Sequence, residues 1–215
     1  MLRNPNGLSH AVVALLGATI LADAFSLIET FGLRSLFAGA LAGHPDPEGY
    51  GGELALTVAW SLQALLLLAT ATVFIVWFHR LRMNAEVWAS DLQRRKPGWA
   101  IGGWFIPIAF IWIPYGVAAD IWRASRRDPY AADGEGELLV LNAWWTVFLA
   151  DLAVGRIGSR LFDRAETAEA YVTAANWLLV GDAVDIVAAV LAILFVRRLT
   201  SMQHTKATGM IPAAQ

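Results

Sequence analysis

The chain has 215 residues, of which 57% are hydrophobic and 16% charged, where a soluble domain carries about 25% charged residues. That balance cannot cover a water-soluble globule, and the formal net charge of −2, with the arginines set beside apolar blocks, excludes a basic nucleic-acid-binding face. The absence of cysteine removes disulfides and thiolate metal sites.

Five hydrophobic segments follow in chain order, at about residues 8–31, 54–78, 99–119, 138–154 and 172–196. They predict an all-α integral membrane bundle of four transmembrane helices plus a broken fifth segment, because about 20 apolar residues at 1.5 Å each cross a hydrocarbon core of roughly 30 Å. The first begins like a secretory leader, with Arg3 before an apolar run and small residues at Ala22 and Ala24. Its apolar character resumes through Phe25, Leu27, Ile28 and Phe31, so it is read as a span. Residues Gly43 to Gly52 form a turn-rich, acidic connection. No charge interrupts Leu54 to Phe78, after which His79 to Lys96 carries Arg80, Arg82, Arg94, Arg95 and Lys96 against Glu86 and Asp91. That excess places the loop on the cytoplasmic side.

The third segment, also free of charge from Trp99 to Ala119, holds Gly102-Gly103, Pro107 and Pro114. Each proline lacks an N–H and disrupts the helical ladder one turn upstream. A re-entrant element and a kinked span both fit this composition. A re-entrant element puts twelve of the sixteen Lys and Arg on the side of a cytoplasmic N-terminus. The fourth segment is short and should continue past Val154 as a helix carrying Arg156 and Arg160. Residues 1–200 are read as one transmembrane domain and residues 201–215 as a flexible polar tail, the whole lying in the cell membrane as a multi-pass protein.

Glycines, prolines and tryptophans recur at fixed offsets in Pro97-Gly98-Trp99-Ala100, Gly102-Gly103-Trp104-Phe105, Pro107-Ile108, Trp112, Pro114-Tyr115 and Asp120-Ile121-Trp122-Arg123-Ala124-Ser125. This stretch resembles an uncharacterised family of actinobacterial membrane proteins, classed as a domain of unknown function. The helix Trp77 to Arg82 with Asn84-Ala85 is similar as well. The resemblance implies a membrane location and carries no catalytic residue with it. Phe110 and Gly116 depart from the family's pattern, which often has Asn and Gln there.

Acids deep in apolar helices are the candidate centre: Asp23 in the first segment, Asp182 and Asp185 in the fifth, and Asp151 in the fourth. An aspartate at mid-bilayer costs about 3 kcal/mol on insertion scales, so such residues face a bundle interior. Thr19, Asp23, Ser26 and Thr30 share one helical face, Asp182 and Asp185 share another, and Trp144, Phe148, Asp151 and Gly155 form a third stripe. No base lies at mid-membrane. The acids must therefore hold protons, bind a cation, or hydrogen-bond to backbone, Asn142 or Asn176. The plainer reading makes each a polar link between helices.

Among ten tryptophans, Trp60, Trp77, Trp88, Trp99, Trp112 and Trp122 suit interfacial belts. Trp104, Trp144, Trp145 and Trp177, with Asn142 and Asn176, are candidates to line a ligand cavity. Arg94, Arg95 and Arg123 are candidates for an anionic lipid headgroup or diphosphate. The four histidines share no helical ligand spacing, and no nucleotide-binding glycine loop is present. No metal or cofactor is expected. Three functions fit: a non-enzymatic membrane protein whose acid- and Trp-lined cavity holds a hydrophobic ligand or partner helix; an enzyme on a lipidic or isoprenoid substrate, with acid-initiated, terpene-cyclase-like chemistry; and a small proton- or cation-coupled transporter. Membrane lipids and a lipidic small molecule are the expected partners, and the oligomeric state is open.

Overall fold

A computed structural model describes residues 2–44 and 52–209. Among these residues there are six α-helices and one short 3₁₀ turn: α1 (Asn6–Leu41), α2 (Glu53–Trp88), α3 (Trp99–Gly102), the 3₁₀ turn (Ala109–Ile111), α4 (Ile113–Ser125), α5 (Leu139–Asp163) and α6 (Ala168–Gly209). The protein is an all-α membrane bundle in which α1, α2, α5 and α6 are each long and apolar enough to cross a membrane. Only 17 to 28% of their most apolar stretches is buried within the protein. Leu21, Ile28, Leu54, Leu67 and Leu68 are among the large apolar side chains left more than 65% exposed, a surface that lipid rather than water must cover.

The four long helices exceed the apolar segments read from sequence. At 1.5 Å per residue the 36 residues of α1 and the 42 of α6 run far past a hydrocarbon core of roughly 30 Å. Apolar composition marks the membrane crossing and not the helix ends. Hence α5 continues through Arg156 and Arg160, as expected, to Asp163. Residues 201–209, expected to be a polar tail, are instead the last turns of α6, anchored by Gln203 and Lys206 (below). Residues 210–215 and the 45–51 stretch of the turn-rich connection lie outside the described residues.

The third hydrophobic segment is broken rather than bent. Helix α3 ends after a single turn at Gly102, and the backbone reverses around Ile108, whose φ of 66° is left-handed. Ala109 N donates to Pro107 O at 2.7 Å, closing a tight three-residue turn of a kind that is rare and strained for a branched side chain. Helix α4 then starts with Pro114 in its first turn, where the missing N–H costs nothing.

Packing divides the chain into two compact units, to each of which α1, α2, α5 and α6 contribute: unit 1 holds residues 1–15, 69–145 and 191–215, and unit 2 holds residues 16–68 and 146–190. Unit 1 is built around α4, of which eleven of thirteen residues are buried, the mark of a helix enclosed on all sides. Phe195 stacks on Trp144 at 4.7 Å and on Trp122 at 6.3 Å. Trp77, fully buried, donates its indole N–H to Thr200 Oγ1 at 3.1 Å. Trp77 and Trp122 are therefore core residues and not belt residues, since both rings are buried inside the protein. In unit 2, Gly158 lets α5 and α6 approach: a Cβ there would stand 3.3 Å from Leu178 N and the Trp177 carbonyl carbon. Small residues at such contacts are what membrane helices use to pack closely. Phe37 stacks on Tyr171 at 4.4 Å, and Phe162 meets both Tyr171 and Trp60 edge-on.

Candidate functional site

The acids at mid-helix converge in unit 2. Asp23 on α1 is fully buried, on the face that also buries Ser26 and Thr30. Asp182 and Asp185 on α6 and Asp151 on α5 are half-buried, and the four carboxyl groups lie close enough to act on one another as like charges. None of the four has an ion pair among the described residues. The partner that joins them is Gln63 of α2, whose amide Nε2 donates to Asp23 Oδ1 at 2.8 Å and to Asp182 Oδ1 at 3.0 Å. A single NH₂ group carries two hydrogens, so this donor is fully spent on two acids from two other helices.

The remaining polar atoms of the cluster are not spent. Asp23 Oδ2 and Asp182 Oδ2 are buried and make no geometrically formed hydrogen bond among the described residues, while the Ser26 hydroxyl lies beside Asp182. A buried oxygen without a partner costs about 1 to 3 kcal/mol. Two such carboxylate oxygens in one cluster are improved by a proton or another donor placed between them. Among the described residues, no three His, Cys, Asp or Glu side chains are grouped closely enough to share a metal ion.

The other candidates divide differently from expectation. Asn176 accepts from Arg34 Nε at 2.6 Å, and Asn142 accepts from Tyr115 OH at 2.9 Å. Neither bonds an acid of the cluster. Sequence reasoning overlooked Gln63; its signal was that of a lone amide in a charge-free span, which must find a partner on another helix. Trp104, Trp144 and Trp145 belong to unit 1 with Asn142, Arg94, Arg95 and Arg123. The three indoles pack on one another and on Phe74 and Phe195, and Trp145 donates its N–H to Ile111 O at 2.9 Å. They form an aromatic core.

Unit 1 also carries a dense polar network. Gln203 donates to Leu81 O and Ser125 Oγ, both at 3.1 Å, and accepts from Asn84 at 2.9 Å. Asn84 in turn holds Arg3 through both its backbone N–H and carbonyl at 2.8 Å. Lys206 Nζ donates to Ala124 O at 2.8 Å and Arg126 O at 2.7 Å, satisfying the last carbonyls of α4. Asp120, almost completely buried, pairs with Arg94 at 2.8 Å, and Asp133 pairs with Arg123 at 2.7 Å and Arg126 at 2.9 Å. The two guanidinium groups hold the Asp133 carboxyl below the usual carboxylate range. Every residue of the glycine-, proline- and tryptophan-rich pattern from Pro97 to Ser125 falls in this unit.

The family model described as a domain of unknown function (DUF4328) matches residues 50–201. The chain belongs to the DUF4328 family. The matched stretch of this DUF4328 protein includes Gln63, Asp151, Asp182 and Asp185, whereas Asp23 on α1 precedes it. No curated protein and no solved structure matches the chain.

Proposed function

We propose that this protein is a multi-pass membrane protein whose activity centres on the acid cluster of unit 2, which takes up and releases a proton. One observation carries this reading. Asp23 is wholly enclosed and shares the donor Gln63 with Asp182, while one oxygen of each acid is buried without a partner among the described residues. Four carboxylates within reach of one another and with no base cannot all stay ionised in an apolar setting. A proton on one of them supplies the missing donor to a neighbouring oxygen, and loss of that proton leaves the oxygens opposed. The isoprenoid-enzyme reading is weakened, because the indoles expected beside the acids are engaged in the aromatic core of unit 1.

Orientation belongs to the same proposal. Twelve of the sixteen Lys and Arg fall in unit 1, where Asn6 of α1 and His204 of α6 lie 3.4 Å apart, so we assign the N-terminus, the segment Arg123 to Arg127 and the end of α6 to the cytoplasmic face of the cell membrane. Cysteines at Asp128 and Ser201, both exposed, should resist a membrane-impermeant thiol reagent on intact cells, and one at Glu166 should react. Ser125 is too deeply buried to report on sidedness.

The proton site is tested with a hydrophobic carbodiimide, which couples to protonated carboxyl groups in apolar surroundings. Peptide mapping should locate an adduct on Asp23 or Asp182 that forms faster at acid than at alkaline pH. The adduct should vanish in Asp23→Asn, Asp182→Asn protein. Absence of labelling at both positions across that range, with loop carboxyl groups reactive to a water-soluble carbodiimide, would remove the proton from this site. Pyranine-loaded vesicles then decide whether uptake is coupled to passage across the membrane.

A further inference from the structure

Arg95 is a cation of unit 1 that converges with Arg94 on the first turn of α4 without a carboxylate of its own among the described residues. Arg82 pairs with Glu86, Arg94 with Asp120, Arg123 with Asp133 and Arg126 with Asp133 and Glu137. Arg95 meets no carboxylate among the described residues, although its position is held on both sides. The Arg95 carbonyl accepts from Arg82 Nη2 at 2.7 Å, and the backbone N–H and guanidinium of Arg94 both engage Asp120. The side chain then lies against the first turn of α4. A Cβ placed on Gly116 would stand 2.9 Å from Arg95 Nη1 and 3.9 Å from Arg94 Nη2.

Two guanidinium groups therefore converge on one spot with one carboxylate between them. The unbalanced positive charge is unfavourable beside an apolar phase unless an anion shares it. Next to this spot, Tyr115 OH bonds to Asn142. Along the broken segment, Phe105 and Ile108 are more than 65% exposed and Trp112 is 51% exposed. The Arg95 fork, with the Arg94 fork beside it engaged by Asp120, selects a phosphate, which accepts parallel hydrogen bonds. An apolar strip on the same segment selects a phosphate that carries hydrocarbon chains.

We infer that Arg95, seated against Gly116 beside Arg94, binds the phosphate of an anionic phospholipid whose acyl chains lie along Phe105, Ile108 and Trp112. Gly116 is then a specificity residue, since any side chain there occupies the place of the Arg95 guanidinium. This site is separate from the acid cluster and stands whether or not that cluster exchanges protons.

The test uses the full-length protein in nanodiscs of phosphatidylcholine with and without phosphatidylglycerol, with bound lipid counted by native mass spectrometry after release. Wild-type protein should retain phosphatidylglycerol in preference to phosphatidylcholine. Arg95→Ala and Gly116→Leu should each weaken that preference by roughly tenfold or more, the loss expected for one charged hydrogen-bonding group. Arg95→Lys, which keeps charge and fold but loses the fork, should fall between. Arg127→Ala, at an exposed arginine of the same unit, should behave as wild type. Three results would overturn the inference: equal retention of the two lipids, a loss in Arg127→Ala as large as in Arg95→Ala, or displacement of the lipid by millimolar inorganic phosphate, which would make this a free-anion site.

Discussion

The two packing units treat charge in opposite ways. In unit 1 the charged groups are paired and one buried network is closely matched: Gln203 spends its amide on Leu81, Ser125 and Asn84, Lys206 closes the end of α4, and Asp120 and Asp133 hold arginines. In unit 2 the acids are gathered and left short of partners, with Gln63 the one side chain shared between two of them. A satisfied buried network fixes a structure, because every rearrangement breaks a bond that nothing replaces. An under-satisfied one stores the capacity to change, because a proton or a ligand improves it. The difference assigns stability to unit 1 and exchange to unit 2.

The largest expected effect comes from breaking the matched network. Gln203→Ala leaves the Asn84 amide, the Ser125 hydroxyl and the Leu81 carbonyl without their partner in a dry interior, and should cost about 3 kcal/mol in thermal unfolding of the protein in nanodiscs. A loss below about 0.5 kcal/mol would mean that the network is not held as tightly as its geometry implies. Next in size, Gln63→Leu removes the donor between Asp23 and Asp182 and should cost about 1 to 2 kcal/mol, since helix-to-helix hydrogen bonds in membranes are worth little more.

Removing acids should do the reverse. Asp23→Asn and Asp182→Asn supply an N–H where an oxygen now lacks a partner, and each should leave stability unchanged or raise it by up to about 1 kcal/mol. A fall comparable to that of Gln203→Ala would turn the acid cluster into a structural link. The smallest effect concerns the Asp133 latch in the solvent-exposed segment after α4. Its carboxyl is held low by Arg123 and Arg126, so its contribution is complete above the ordinary aspartate range near about 3.9 and is lost as pH falls through its depressed value. Amide exchange in the segment 126–137 should accelerate on acidification in wild type, and Asp133→Asn should show the fast exchange already at neutral pH.

Much of the architecture was legible in the residues themselves. Long apolar runs named four crossings, Gly102-Gly103 with Pro107 and Pro114 named the break between α3 and α4, and the mid-helix positions of Asp23, Asp151, Asp182 and Asp185 singled out the acids. The excess of arginines at one set of helix ends reappears in unit 1. These are local properties, set by what each stretch of chain does to its own hydrogen bonds and to the lipid or water beside it.

Pairing was not legible in the same way. Which side chain meets which depends on the rotation of each helix about its axis and on its offset along its neighbour, and both are decided by packing many residues at once. That is why Asn142 and Asn176 found Tyr115 and Arg34 instead of the acids, why Gln63 took the place expected of them, and why Trp77 and Trp122 went to the core instead of a belt. The sequence by itself determined that this chain lives in a membrane, where its backbone breaks and which acids it buries. Only the tertiary structure decided which of those polar groups are satisfied and which, among the described residues, are left short: one oxygen each of Asp23 and Asp182, and the Arg95 guanidinium, which meets no carboxylate.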